Sequence, residues 1–215
     1  MRHAENAEKQ GNRAGSREEI ERAILDGAER IFAEAGFGGA TMQAIADHCG
    51  LPKANLHYYF ASKKQLYRRV VERIFNVWLE AADSFEGSAS PEVALRRYIT
   101  RKMELSRAHR YGSKVWANEV MHGAPIIQDF LETTLRDWTE SRARVIRGWM
   151  EAGSIRPVDP HWLLYMIWAT TQHYADFAHQ VETLNGGPLS DAQWQAATET
   201  VCDIILRGIG LESDG

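Results

Sequence analysis

Apolar residues in this chain recur at three- and four-residue spacing along most of its length, the period of helices that bury one face. Ile20, Ile24, Ala28, Ile31 and Phe32 share one such face, and Gly36 closes the run as a helix C-terminus prefers. Thr41 offers an N-cap hydroxyl for a helix from about Met42 to His48, and Pro52 and Lys53 open a short one reaching about Tyr59. Ser62 with Gln65 forms a capping box that starts a long amphipathic helix carrying Leu66, Val70, Ile74, Val77, Trp78 and Ala81. Pro91, Asp159-Pro160 and Ser190 with Gln193 are further helix starts, which places helices over about 91–108, 112–122, 125–152, 160–185 and 190–209. No stretch alternates convincingly at period two, so no sheet is predicted. The expectation is an all-α fold of about nine helices.

One stretch, Thr41 to Tyr67, departs from plain amphipathic patterning. Ile45, Ala46, Gly50, Leu51 and Leu56 stand where two short helices crossing steeply need apolar contacts, a small residue and a tight turn, the signature of a helix-turn-helix. Such a unit lays its second helix in the DNA major groove. If Leu56 and Tyr59 pack inward, Lys53, Asn55, His57 and Tyr58 project outward. Lysine suits guanine, asparagine suits adenine, and a tyrosine hydroxyl suits a phosphate. Thr41 and Lys63 sit at helix N-termini, where backbone N–H groups attract phosphate, and are expected to position the backbone rather than read bases. The bland alternative for this face is a solvated helix surface.

Charge changes that picture only locally. A net charge of -4 argues against nucleic acid, yet from Phe37 to Val70 five basic residues (Lys53, Lys63, Lys64, Arg68, Arg69) face one acid, Asp47, a local excess of +4. Phosphate neutralisation depends on the charge facing the duplex, so the objection weakens. The longest apolar run, Trp162 to Ala169, is too short to span a bilayer, and the polar N-terminus lacks a secretory signal, so no membrane association and a cytoplasmic location are expected. Residues 1–16 read as a flexible arm; Arg2, Lys9 and Arg13 could touch DNA, with a solvated tail as the simpler account. Cys49 and Cys202 form no metal or disulfide pattern and fall among helical apolar positions. His173, Asp176 and His179 are three apart, which spreads them around a helix rather than toward one metal. No nucleophile elbow or phosphate loop accompanies the Ser, His and Asp residues, so neither an enzyme nor a cofactor is expected.

The GF that ends the first helix, then T-M-x-x-I-A-x-x-C-G-L and L-H-Y-Y-F-x-S-K, resembles the DNA-binding domain of the TetR family of one-component regulators over about residues 17–70. Lys64 departs from the acid usual after Ser-Lys there, adding positive charge. The resemblance implies a flexible arm (1–16), a three-helix DNA-binding domain (17–62) and a helical ligand-binding and dimerisation domain (63–215). It also implies a homodimer on a palindromic double-stranded operator, loosened from DNA in most members by a small molecule. MIWATTQHYADFAHQVE, with GAP at Gly123 to Pro125 and Trp78, is similar to the pyrimidine-utilisation branch of that family, whose effectors are uracil and thymine.

Trp168 and Gln172, four apart, share a helix face with Tyr165 and Ala169 at its edge. An indole can sandwich a planar ring, and a primary amide can both donate to and accept from an imide edge. Trp78 and Lys102 join them on the resemblance. Ordinary core and dimer packing is the competing account for all four. All seven tryptophans lie beyond residue 75, in the part expected to build pockets and interfaces. The last two predicted helices look apolar on more than one face, as suits burial against a second copy. Two rival functions fit the same pattern: an all-helical dimeric binding or adaptor protein, and a regulator with an unrelated hydrophobic effector.

Overall fold

The computed structural model describes residues 17–81, 85 and 90–211 with their side chains; the expected arm over residues 1–16 lies outside them. Ten helices and no strand run through the described residues. They are α1 (Arg2–Gly39), α2 (Met42–His48), α3 (Lys53–Tyr59), α4 (Lys63–Glu80), α5 (Pro91–Ala108) and α6 (Arg110–Met121). There follow α7, made of Gln128–Phe130, a π-helical turn Leu131–Leu135 and Arg136–Glu151, then α8 (Pro160–Asp176), α9 (Ala178–Asn185) and α10 (Asp191–Gly208). The chain divides into two compact units, up to Arg73 and from Ile74 onward.

In the first unit the capping chemistry follows the sequence in all but one bond. Thr41 Oγ1 accepts the Ala44 N–H at 3.0 Å, which fixes the start of α2. Gly50 takes φ +65 in the turn before α3, a conformation a side chain would strain. The Ser62 hydroxyl accepts the Gln65 N–H, but the Gln65 side chain reaches back to the N–H of Ala61 rather than Ser62. Gly36 leaves helical geometry (φ 67, ψ 173) three residues before the end of α1. Ile24, Ala28, Ile45, Ala46, Leu56, Leu66 and Val70 are completely buried and form the core. A Cβ on Gly27 would lie 2.5 Å from Cys49 Sγ, so only glycine lets α1 come this close to the end of α2.

The core of the second unit is drawn from Ile74, Leu95, Ile99, Ile146, Leu164, Ile167 and Leu206. Its predicted helix starts are capped: Asp159 accepts from His161 and Trp162, Ser190 with Gln193 completes a reciprocal capping box, and before Pro91 a cap not foreseen, Ser90, accepts from Val93. Two predicted spans differ. The helix expected over 125–152 begins only at Gln128, because Gly123 and Ala124 turn with positive φ around the buried Glu119, whose carboxylate accepts the Ile126 N–H at 2.7 Å. The helix expected over 160–185 breaks at Phe177 (φ -112, ψ 29) into α8 and α9, with neither proline nor glycine at the break to signal it. That break raises the count from about nine to ten.

Candidate nucleic-acid interface and effector cavity

The short helix α3 is anchored on one side and bare on the other. Leu56 is buried and Tyr59 half-buried, while Lys53, Asn55, His57 and Tyr58 are exposed, Tyr58 at 72%. Their outward direction follows from the 3.6-residue period once Leu56 is fixed. Tyr58 stands edge-on to Tyr59 at 5.3 Å and lies under the Arg17 guanidinium at 5.7 Å, which limits its wandering. Thr41, at the start of α2, is exposed as well.

Lys63 has a task the sequence did not disclose. Its ammonium donates to the carbonyls of Phe37 at 2.7 Å and Ala40 at 2.8 Å, and sits 4.5 Å from the Phe37 ring. Two of its three donors are thus spent latching the first residue of α4 to the last turn of α1 and the residue just after it, leaving one for a phosphate. Arg68 pairs with Glu72 and Arg69 with Glu21, so part of the local positive excess is already matched by acids outside that stretch. Surface pairs of this kind are weak, worth about 0–1 kcal/mol, and exchange readily for phosphate.

The four expected effector residues meet at one place. Trp78 from α4, Lys102 from α5, and Trp168 and Gln172 from α8 line a single cavity of about 50 Å³. Since one water needs only about 10–15 Å³ of such space, this admits a few waters or one small ring. Residues not foreseen complete the wall: Phe75, Tyr98, Trp116 and Trp138, with Leu79 and Leu135. Trp116 stacks on Phe75 at 5.4 Å and meets Trp78 edge-on at 5.3 Å, while Trp138 tilts against Trp168 at 6.1 Å. Trp168 Nε1 donates to the Tyr98 hydroxyl at 2.8 Å, which fixes the indole. Burial pushes the Tyr98 hydroxyl far above its ordinary value, so it stays neutral. Tyr98 stands four residues before Lys102, a spacing that could have found it. Tyr165 meets Trp168 at 5.4 Å and opens with it onto an adjoining outer groove beside His161 and Glu140, 44% exposed.

Lys102 is the unusual member. It is 3% exposed with its ammonium 4.6 Å from the Trp78 ring, and burial lowers its pKa to about 7 against an upward pull from Asp176. Asp176 shifts the opposite way through its own burial and accepts a hydrogen bond from Ser113. The Gln172 side chain makes no hydrogen bond among the described residues and lines the cavity. No cluster of three metal-ligating side chains occurs among the described residues, and no helix among them is long and apolar enough to cross a membrane.

A three-helix DNA-reading unit joined to a helical unit with an aromatic-lined cavity defines a one-component transcription regulator, and the comparisons agree. Residues 24–70 match "Bacterial regulatory proteins, tetR family", and residues 71–212, more than half of the chain, match "YcdC-like protein, C-terminal region". The chain belongs to the TetR family and is a regulator, not an enzyme. It is 38% identical over 200 residues to the HTH-type transcriptional regulator RutR of Escherichia coli (strain K12), across 93% of this chain and 94% of that one. It is 26% identical to the HTH-type transcriptional repressor NicS of Pseudomonas putida, across 94% and 97%. Among solved structures the fold is shared with AibR in complex with isovaleryl coenzyme A and operator DNA (TM-score 0.71, 20% identity, 86% of this chain and 97% of that one). KstR2 of Mycobacterium tuberculosis gives a TM-score of 0.70 at 23% identity, across 89% and 95%.

Proposed function

We propose that this regulator works as a homodimer on a palindromic operator, as a repressor, and that a small planar effector, uracil or thymine, loosens it from DNA. The observation that carries the effector reading is the cavity itself. An aromatic box holds a flat ring by its faces, and only two lining side chains, Gln172 and Lys102, offer strong polar groups at its edge besides the Tyr98 hydroxyl. An amide that both donates and accepts matches the alternating N–H and C=O of an imide. The likeness to RutR along nearly the whole chain supports the same reading.

Support for a second copy comes from α8 and α10, which leave Trp162, Met166 and Ile204 more than half exposed. Apolar side chains of that size on neighbouring helices suit a self-complementary interface. On DNA, Lys53 and Asn55 read base edges, His57 lies between them on the same face, and Thr41, Tyr58 and Lys63 hold phosphates. Because α4 carries Trp78 at the cavity and begins at Lys63, a ring that prefers one setting of α4 shifts the spacing of the two reading heads. A coupling of roughly 1–3 kcal/mol is typical of such linkage.

Thermal shift with uracil and thymine, followed by gel-shift titration of genomic fragments at two salt concentrations, tests both halves. Stabilisation by the rings, a sequence preference and a steep salt slope are expected. Absence of stabilisation at millimolar ligand defeats the pyrimidine reading. Trp168→Ala and Gln172→Ala should lose the response and keep operator binding.

A further inference from the structure

The cavity holds one ionisable amine with no ion-pair partner among the described residues. Lys102 has neither a hydrogen bond nor a salt bridge among the described residues, although it is almost wholly buried and lines the cavity. The nearest carboxylate to act on it, Asp176 of α8, is held by the Ser113 hydroxyl of α6 and acts only through its field. The other groups around the site do not neutralise it. Tyr98, on α5 itself, stays neutral, with Arg142 of α7 acting on that hydroxyl, and His173 bears on Asp176. The α4 residues Phe75, Trp78 and Leu79 bring no titratable group. A cation–π contact with Trp78 offsets part of the desolvation of an ammonium and none of its need for a counter-ion.

Building on the effector reading above, we propose that the cavity takes its ring ligand as an anion, deprotonated at a ring N–H, and pairs that charge with the Lys102 ammonium. The proton has two destinations. When Lys102 enters as the neutral amine, the ring N–H proton passes to Nζ, the ammonium and ring anion form together, and no proton is exchanged with solvent. When Lys102 enters as the ammonium, the ring proton leaves to solvent, one for each ligand bound. In both cases the bound pair is neutral overall, which a buried, aromatic-lined site tolerates far better than a single charge. The ligand class is a planar cyclic imide with an ionisable N–H, and the more acidic the ring, the better it fits.

Uracil, 5-fluorouracil and 6-azauracil have nearly the same shape and rising acidity, and their binding to the full chain can be measured by titration calorimetry at one neutral pH. Affinity is expected to rise in that order, by up to about tenfold for each unit of ring acidity. Lys102→Met, similar in volume and without charge, should fold and lose the order. Wild-type affinities that ignore acidity, or an order that survives in Lys102→Met, would overturn the charge assignment and leave the pyrimidine reading standing. If none of the three rings binds the folded wild type, both readings fall together. A second readout is spectroscopic: 4-thiouracil absorbs to the red of tryptophan, and its band changes on ionisation. Bound at a pH where the free ring is neutral, it should show the anion's band; the neutral band overturns the proposal. Should Lys102→Met bind no ring at all, that spectrum decides alone.

Discussion

The two units of this chain spend their chemistry in opposite directions. The reading unit buries aliphatic side chains and leaves polar ones outside: Leu56 is completely buried while Lys53, Asn55, His57 and Tyr58 face away from it. The second unit leaves Trp162, Met166 and Ile204 outside but turns its candidate effector groups inward, gathering Trp78, Trp168, Lys102 and Gln172 around a cavity. A groove reader therefore keeps function and stability on separate residues, whereas a pocket asks the same residues to supply both. Substitutions should divide along that line.

The largest effect is expected from Leu56→Ala. Emptying so well packed a site costs roughly 2–5 kcal/mol, so the reading unit should melt first and lose operator binding while uracil still binds the remainder. Loss of both together in calorimetry would break the contrast between the units. Next comes Lys102→Met read against pH. The Lys102 pKa is lowered in the fold to about 7 from an ordinary 10.5, so between those values the unfolded chain binds more protons and stability rises with pH. The variant should be the more stable protein at and below about pH 7, with the gap closing toward 10.5 in thermal melts. A gap independent of pH would mean that Lys102 is not buried as charged.

Gly27→Ala is expected to cost about 1–3 kcal/mol through collision with Cys49 Sγ, and Cys49→Ala on that background should recover most of it in a double-mutant cycle. The smallest stability change belongs to Lys53→Ala, within about 0.5 kcal/mol. Its operator affinity should nonetheless fall, with the salt slope reduced by about one if the contact is to phosphate and unchanged if it is to a base.

How far the sequence revealed each unit follows from the range of the forces involved. Thr41, Gly50, Leu56 and Ser62 act on residues close by in the chain, so the reading unit's turn, its Thr41 cap, half of the Ser62–Gln65 box and the exposure of Lys53, Asn55, His57 and Tyr58 were legible. In the cavity, Trp168 and Gln172 were found by their spacing on one helix, whereas Trp116 and Trp138 lie on helices whose rotation toward α8 is set only by tertiary packing. Trp78 and Lys102 came through family resemblance rather than through spacing. Lys63 was read as a phosphate ligand because its position at a helix start is visible, but its bonds to Phe37 and Ala40, more than twenty residues away, are not. The break at Phe177 had no local signal at all.

Every tryptophan of this protein lies in the second unit, four of them around the cavity, while the reading unit has tyrosines (Tyr58, Tyr59 and Tyr67) and phenylalanines but no indole. Intrinsic indole emission is consequently blind to the DNA-reading half and tuned to the effector. Unfolding of the first unit would pass almost unseen in a tryptophan fluorescence trace, and a ring entering among Trp78, Trp116, Trp138 and Trp168 would quench it directly. The chain carries its own optical probe for one of its two jobs and needs an external label for the other.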